Sequence, residues 1–140
     1  GIGDLQGIIS ELDTLAELGI DYLWLSPIMV SPQRDNGYDI ADYYHIDPMF
    51  GSDEDYFMLI QEANTRGIKI MMDLVLNHVS TEHKWFKKAC MGDPYYQDFF
   101  IWRKRPNDLH SLFGGSAWEY VPQLDMYYFH NFEMMLLCPL

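Results

Sequence analysis

The amino-acid sequence predicts an α/β fold in which helices cover parallel strands. Three observations predict it. Segments with apolar residues at helical spacing alternate with short apolar runs, in the order helix, strand, helix, strand. The strand-like runs are almost wholly apolar and are bounded by short turns, which is typical of a parallel sheet covered by helices. A chain of 140 residues is long enough for one modest core.

The first helix and the first strand follow directly from this pattern. Gly19 fits the C-terminal stop of the helix, and a short buried strand is predicted between Asp21 and Pro27, over Tyr22 to Leu25. The helix is predicted from six apolar residues at helical spacing, which are Leu5, Ile8, Ile9, Leu12, Leu15 and Leu18.

The second helix begins after a polar loop. Ser52 and Asp55 resemble a capping box, Gly67 ends the helix, and the second strand begins at once at Ile68. The apolar positions of the helix are Tyr56, Leu59, Ile60 and Ala63. The loop before it is predicted from its turn residues, Ser31, Pro32, Asn36 and Gly37.

The second strand, predicted over residues 68–76, contains an acid and ends in polar groups. A lone buried carboxylate costs several kcal/mol unless a partner neutralises it or it is protonated. Asp73, Asn77 and His78 therefore suggest a recognition site at the strand end, and a structural Asp bonded to neighbouring backbone is the alternative. Strand alternation predicts one face under helices, formed by Ile68, Ile70, Met72, Leu74 and Leu76, and a partly polar face, formed by Met71, Asp73, Val75 and Asn77.

The pattern changes after His78. Ser80 is predicted to cap a short helix through Trp85, Phe86 and Ala89. The stretch from Pro94 to Gly115 is rich in aromatic and turn residues, and it predicts a small irregular subdomain. We interpret its aromatic residues between Tyr95 and Trp102 as core rather than as a binding surface.

Composition excludes several classes of function. No run of about 18 apolar residues exists, so no membrane span is predicted. The net charge of −12 argues against nucleic acid or an anionic membrane as partner and is compatible with neutral substrates. Cys90 and Cys138 lack metal-ligand spacing, and a disulfide between them stays open. No signal segment is visible, which predicts a cytoplasmic protein, although the chain begins at Gly1 without a methionine.

Four segments of the chain resemble the α-amylase superfamily of glycoside hydrolases, above all the oligo-1,6-glucosidase and glucan (dextran) α-1,6-glucosidase group. They occur in the order and at the spacing of that family and cover nearly the whole chain. The segments are Gly1-Ile2-Gly3-Asp4-Leu5-Gln6-Gly7, Asn36-Gly37-Tyr38-Asp39-Ile40, Asp73-Leu74-Val75-Leu76-Asn77-His78 and Phe113-Gly114-Gly115-Ser116-Ala117-Trp118-Glu119-Tyr120.

The resemblance implies a partial (β/α)8 TIM barrel. In that family a subdomain, called subdomain B, is inserted after the third barrel strand. Residues 1–78 would then be the barrel segment from the first helix to the third strand, and residues 79–130 would be part of subdomain B. Residues 131–140 do not match the family and are expected to be a divergent tail. A whole barrel needs about 250 residues, so we expect the chain to be an N-terminal fragment that folds poorly alone.

The resemblance also implies an activity, which is retaining hydrolysis of α-1,6-glucosidic bonds in isomalto-oligosaccharides or dextran. The nucleophile Asp and the acid/base Glu of the family would lie beyond residue 140. No residue of this chain is therefore assigned a catalytic role, and the isolated chain is expected to be inactive. The alternatives are a trehalose-6-phosphate hydrolase or another α-glucosidase, and, in a different class, a non-catalytic relative associated with amino-acid transporters.

Residue by residue, the resemblance implies a sugar site. Asp35 would bind hydroxyls of the non-reducing glucose, Tyr38 would stack on that ring, and His78 would donate to its 6-hydroxyl. Asp73 would orient an arginine on the fourth strand, and Asn77 would support the same strand end. Without the resemblance, Asp35 is explained as a turn residue, Tyr38 as a packed aromatic and His78 as a satisfied hydrogen-bonding residue.

The resemblance implies no required cofactor, but it does imply an ion site. The carbonyl of Ile2 and the side chain of Asp4 match the end of a loop that holds calcium or magnesium in many relatives, and oxygen ligands suit such ions. Asp4 is equally well placed as a helix N-cap. The expected partner is an oligosaccharide, with neither nucleic acid nor a membrane expected, and the sequence leaves the oligomeric state open.

Overall fold

A computed structural model describes residues 2–112, 114–132 and 135–137 of the chain. The chain forms two compact units. The first unit contains Gly1–Val30 and Tyr43–Leu74, and the second contains Ser31–Asp42 and Val75–Leu140. The predicted division at residues 78 and 130 stays a prediction.

The first unit is a parallel strand pair covered by two helices, which confirms the α/β class. Leu23 lies opposite Ile70 and Leu25 opposite Met72 in the parallel β1–β4 pair, and β2 pairs with β3. The elements are α1 (Leu5–Glu17), β1 (Tyr22–Leu25), β2 (Met29–Val30), β3 (Asp42–Ile46), α2 (Asp53–Thr65) and β4 (Lys69–Met72).

The core of the first unit lies between the helices and one face of the strand pair. Burying such side chains stabilises a fold by about 1.5–3 kcal/mol each. The opposite face of β1 carries Tyr22 and Trp24, which are more than half exposed. The prediction that β1 is buried is therefore correct for one face and wrong for the other. The buried residues of this core are Leu5, Leu12, Leu25, Ile28, Ile46, Leu59, Ala63 and Ile68.

Local sequence signals set both ends of α1 and α2. Asp4 is the N-cap of α1, where its side chain accepts from the Gly7 amide at 2.7 Å. Ser52 and Asp55 form the predicted capping box of α2. Gly19 and Gly67 follow the two helices with φ of 77°, a left-handed conformation that favours glycine. These four predictions are confirmed.

Strand β4 ends earlier than predicted, at Met72. Its partner β1 ends at Leu25, and one further bond, from the Asp73 amide to the Leu25 carbonyl at 3.1 Å, closes the pair. Past that point Leu74 and Leu76 are 61% and 49% exposed. Their predicted place on a face under helices is therefore wrong, since the strand alternation stops before it reaches them.

In the described residues, the second unit contains an antiparallel sheet and two short helices. The sheet runs in the order β5-β9-β8-β6, with β7 also paired to β8. Its elements are β5 (His78–Ser80), α3 (Lys84–Cys90), α4 (Pro94–Gln97), β6 (Trp102–Arg103), β7 (Trp118–Val121), β8 (Met126–Phe132) and β9 (Met135–Leu137).

The N-cap of the short helix α3 lies three residues later than predicted. His83, rather than Ser80, is the N-cap, and its Nδ1 accepts from the Trp85 amide at 3.1 Å. The Ser80 hydroxyl instead accepts from the Glu82 amide at 3.2 Å. Predicting Ser80 as the cap was therefore wrong, because a buried histidine provides the acceptor that hydroxyl and carboxyl side chains usually provide.

An aromatic cluster forms the core of the second unit. Phe86 contacts Phe100, Trp102 and Tyr128, with ring centroids 5.0 to 5.9 Å apart. Phe100 and Tyr128 are buried, whereas Tyr95 is 66% exposed. The interpretation of the aromatic stretch as core therefore holds for Phe100 and fails for Tyr95.

The cysteines, the predicted tail and the helices bear on three further expectations from the sequence. Cys90 has a free, half-buried thiol, and Cys138 lies outside the described residues. Phe113 and parts of the predicted tail, at 133–134 and 138–140, also lie outside them. In the part of the chain that the structure describes, none of the helices has both the length and the apolar character needed to span a bilayer.

Candidate functional site

The loop from Ser31 to Ile40 carries two of the predicted sugar-binding residues and has an unusual backbone. Gln33, Asn36 and Gly37 have positive φ angles of 58°, 50° and 93°. Asparagine and glycine adopt this region readily, but for Gln33 it is uncommon. The Tyr38 amide donates to the Asp35 carbonyl at 2.9 Å and closes the turn. The loop is therefore held in one conformation by specific contacts.

Asp39 provides most of those contacts. Its side chain is 1% exposed. Oδ1 accepts from the Ser31 hydroxyl at 2.7 Å and from the Asp35 amide at 3.2 Å. Oδ2 accepts from the Arg34 amide at 3.1 Å. A buried carboxyl group is tolerated where its oxygens are satisfied in this way, so Asp39 fixes the backbone that carries Asp35.

His78 anchors the same loop from β5. Its ring is buried, and Nε2 lies 3.0 Å from the carbonyl oxygen of Tyr38. A carbonyl only accepts, so Nε2 carries the proton. Burial lowers the pKa of His78, while the Tyr38 carbonyl and the negative charges of Asp35 and Asp39 act in the opposite direction. The ring is therefore neutral at neutral pH, and its Nε2–H donates a hydrogen bond to the Tyr38 carbonyl oxygen.

Arg34 ties the outer side of the loop to the segment after β5. Its Nη2 lies 2.7 Å from Glu82 Oε1, and both side chains are nearly half exposed. Such an exposed pair contributes about 0–1 kcal/mol. Its larger effect is on charge, because Glu82 neutralises Arg34 next to the carboxyl groups of Asp35 and Asp39.

The structure brings three of the predicted site residues together in the second unit. Asp35 and Tyr38 are half-buried on the loop, and His78 contacts Tyr38 directly. Asn77 is exposed beside His78, and Asp73 lies in the first unit, half-buried just past β4. Their roles toward a sugar stay predictions, and the geometry gives Asp35 and Tyr38 the exposure that a ligand contact needs.

The predicted ion ligands do not form an ion site by themselves. Asp4 Oδ1 is occupied as the N-cap acceptor of α1, and Ile2 is exposed. Calcium takes six to eight oxygen ligands. Among the described residues, His, Cys, Asp and Glu side chains nowhere gather in the groups of three or more that could hold a metal. The N-cap interpretation of Asp4 is confirmed, and the ion stays a prediction.

Asp39 is the residue that the residue-by-residue assignment missed. The signal was present in the sequence, because Asp39 lies between an aromatic residue, Tyr38, and an apolar residue, Ile40, directly after the Asn36-Gly37 turn. An acid in that position needs hydrogen-bond donors nearby, and the amides of the preceding turn are the closest donors.

Comparison with known proteins identifies a family. The model of the α-amylase catalytic domain matches residues 1–137. The chain is 56% identical over 134 residues to a glucan 1,6-α-glucosidase of Streptococcus pneumoniae, covering 95% of this chain and 25% of that protein. It is 52% identical over 141 residues to a trehalose-6-phosphate hydrolase of Bacillus subtilis, covering 96% of this chain and 25% of that protein.

A solved structure agrees with these relatives. The trehalose-6-phosphate hydrolase of Bacillus licheniformis superposes with a TM-score of 0.94 at 48% identity, over 99% of this chain and 26% of that one. The barrel segment expected from the sequence is thus confirmed as a part of this fold, without a closed barrel among the described residues. The chain spans about a quarter of the length of the curated relatives it matches.

Proposed function

The chain belongs to the α-amylase catalytic-domain family, and from that premise we propose that it forms the glucose-binding part of a retaining α-glucosidase. The proposed substrates are isomalto-oligosaccharides or dextran, whose α-1,6-glucosidic bonds the whole enzyme would hydrolyse. The proposed contacts are Asp35 to hydroxyls of the non-reducing glucose and Tyr38 to its ring face, with Asp73 and Asn77 in support. Because the ring proton of His78 goes to the Tyr38 carbonyl, we propose that His78 holds Tyr38 in place rather than donating to the 6-hydroxyl.

One observation carries the proposal, which is the convergence of Asp35, Tyr38 and His78 in one unit. His78 bonds to the Tyr38 carbonyl, and Asp35 lies close enough for its charge to act on the His78 pKa. A carboxyl group that accepts from hydroxyls, beside an aromatic face, is suited to a neutral sugar. This convergence also argues against the non-catalytic alternative, in which no sugar contacts are needed.

The proposal assigns binding, and not bond cleavage, to this chain. Retaining hydrolysis uses a nucleophilic carboxylate and an acid/base carboxylate about 5 to 5.5 Å apart. We expect both to come from sequence beyond residue 140, as the family resemblance implies. Asp35 is occupied with the substrate in this proposal and Asp39 with the loop, so neither is assigned to cleavage. The isolated chain should therefore not hydrolyse a glucoside.

Charge at the loop favours a neutral glucan over trehalose 6-phosphate. The single cation of the loop, Arg34, is paired with Glu82 at 2.7 Å, and Asp35 and Asp39 add negative charge. A phosphate brought near this surface would be repelled. Hydrolysis of trehalose 6-phosphate remains the second candidate, because proteins of that name are among the similar ones. The proposed location is cytoplasmic, without a required cofactor.

Two chimeric enzymes test the proposal. In the first, this chain replaces the matching quarter of the Streptococcus pneumoniae glucan 1,6-α-glucosidase. In the second, it replaces that of the Bacillus subtilis trehalose-6-phosphate hydrolase. We expect the first chimera to keep most of the kcat/KM of its host on isomaltose, and the second to lose kcat/KM on trehalose 6-phosphate. The reverse result would favour the second candidate.

A single substitution then tests the site. Asp35→Ala in the first chimera should lower kcat/KM on isomaltose about 10- to 100-fold, as expected for a lost hydrogen bond to a charged group. Asp108→Ala, at an exposed acid of the same unit, is the matched control and should change little. Equal effects of the two substitutions would refute the assignment of Asp35.

A further inference from the structure

Asp39 is the most deeply buried acid of the loop, and its described bonds go to protein groups. Oδ1 accepts from Ser31 and from the Asp35 amide, and Oδ2 accepts from the Arg34 amide. With 1% of its side chain exposed, it is unsuited to direct contact with a sugar. Its three donors nevertheless include the amide of Asp35, which the proposed function places against the substrate.

The loop conformation needs such support. Gln33 has a φ of 58°, and a residue in a sparsely populated region costs about 1–3 kcal/mol and persists only when its surroundings over-determine it. Ser31 contributes on both sides, because its hydroxyl accepts from the Gln33 amide at 2.9 Å and donates to Asp39. The Ser31–Asp39 pair thus bonds directly to the amides of residues 33, 34 and 35.

We propose that Asp39, together with Ser31, is a positioning residue that holds Asp35 in its sugar-binding orientation. The inference rests on the proposed function. It adds that the affinity of the glucose subsite depends on a buried acid that does not touch the sugar. Preorganisation of this kind removes the ordering cost that a mobile loop would otherwise incur on binding.

The competing explanation is that Asp39 only stabilises the fold. The two explanations differ in what they predict for Asp39→Asn. The Asn side chain has almost the same shape, but it replaces one acceptor oxygen by an NH2 group that faces a donor. If Asp39 positions Asp35, KM rises while kcat stays nearly constant, since binding common to ground and transition states is lost. If Asp39 is only structural, thermal stability falls and KM is unchanged.

The experiment is a double-mutant cycle in the glucan 1,6-α-glucosidase chimera. Asp39→Asn should raise KM for isomaltose about 10- to 100-fold. In an Asp35→Ala background the same change should have no further effect, because the residue it positions is gone. Full additivity of the two effects would overturn the proposal. Ser31→Ala should act in the same direction more weakly, and Ser31→Thr, which keeps the hydroxyl, should restore the parent KM.

Two controls keep the outcome decisive. Asp47→Asn removes another buried acid, one that accepts from the Met49 amide in the first unit, and should leave KM unchanged. Amide hydrogen exchange measures how well the loop backbone is ordered in the absence of a bound sugar. The Arg34 and Asp35 amides should exchange at least tenfold faster in Asp39→Asn, and unchanged exchange would overturn the proposal even if KM rose.

Hydrogen exchange also distinguishes a failure of the proposed sugar contact at Asp35 from a failure of the proposed ordering of the loop by Asp39. If Asp35→Ala leaves KM unchanged, the proposed function fails at this residue. Faster exchange at residues 34 and 35 in that case would still assign to Asp39 the ordering of the loop, and normal exchange would reject both. Should Asp39→Asn fail to fold, Ser31→Ala carries the same two measurements.

Discussion

His78 donates its Nε2 proton to the main-chain carbonyl oxygen of Tyr38, across 3.0 Å and forty positions of sequence. The amide of Ser80 adds a second bond, to the Ile40 carbonyl at 2.9 Å. Strand β5 therefore holds the end of the loop on which Tyr38 and Asp35 lie. The sequence assigns this histidine to the sugar, whereas in the structure its ring proton bonds to the loop.

Replacing His78 tests this relationship. His78→Ala removes the donor to Tyr38, leaves a carbonyl with one partner fewer, and should raise KM for isomaltose in the glucan 1,6-α-glucosidase chimera about tenfold. His78→Gln places an amide N–H near the Nε2 position and should recover part of the loss. Steady-state kinetics measure both. His110→Ala, at an exposed histidine of the same unit, is the control, and an effect equal to that of His78→Ala would contradict the assignment.

The buried His83 should make the free energy of unfolding decrease in acid. Burial, and to a smaller extent the charge of Lys84, lowers its pKa to about 4, with Asp42 acting in the opposite direction. Because the folded pKa lies below the ordinary value of 6.5, the stabilisation is complete above pH 6.5 and is lost as the pH falls toward 4. Protonation would also put a hydrogen on Nδ1, which accepts from the Trp85 amide. The shift corresponds to on the order of 3 kcal/mol.

The measurement is the melting temperature of the chimera between pH 7 and pH 4. His83→Asn supplies a cap oxygen that does not titrate, so its melting temperature should fall less steeply with pH than that of the parent. Parallel curves for parent and variant would show that His83 does not contribute to the acid sensitivity.

Substitutions at Asp4 can distinguish its role as the N-cap of α1 from a role as an ion ligand. Asp4→Ala should lower the unfolding free energy by about 1 kcal/mol, because the Gly7 amide loses its acceptor, and Asp4→Asn should cost little. If Asp4 held calcium, Asp4→Asn would abolish a calcium-dependent rise in melting temperature. Thermal unfolding with calcium chloride and with EDTA measures this. We expect the same response to calcium in parent and Asp4→Asn proteins.

Substituting Phe86 and Tyr95 should show which aromatic residues stabilise the core of the second unit and which lie on its surface. Phe86 is buried and contacts Phe100, Trp102 and Tyr128, so Phe86→Ala should cost about 3–5 kcal/mol. Tyr95 is exposed and its ring contacts only Tyr96 and Phe99 among the described aromatic pairs, so Tyr95→Ala should cost about 1 kcal/mol or less. Chemical denaturation of the chimera measures both, and similar costs would show that the cluster is not the core of its unit.

The features that sequence predicts well are encoded within a few residues. The cap at Asp4, the box at Ser52 and Asp55, and the glycines after both helices depend on contacts four residues apart or fewer. A pattern of this length can be interpreted without knowledge of the tertiary structure. The loop around Asn36 and Gly37 was predicted for the same reason, because these residue types favour positive φ.

The features that sequence did not predict depend on distant partners. The end of β4 is set by where β1 ends, and the pairing of β2 with β3 joins segments with little alternation of their own. His83 caps α3 although Ser80 is the better cap by type. The role of Asp39 depends on donors that surround it only after the loop has formed. Residue types predict a sugar site, but they do not show what holds the loop at that site in place.

The chain enters the second unit at Ser31, leaves it at Asp42 and returns at Val75. No single cut in the gene can release either unit whole. A truncation after Leu74 would keep the loop and discard the histidine that fastens it, and one beginning at Val75 would do the opposite. Recombination between relatives can therefore exchange the loop together with its histidine anchor only as the whole stretch from Ser31 to Ser80.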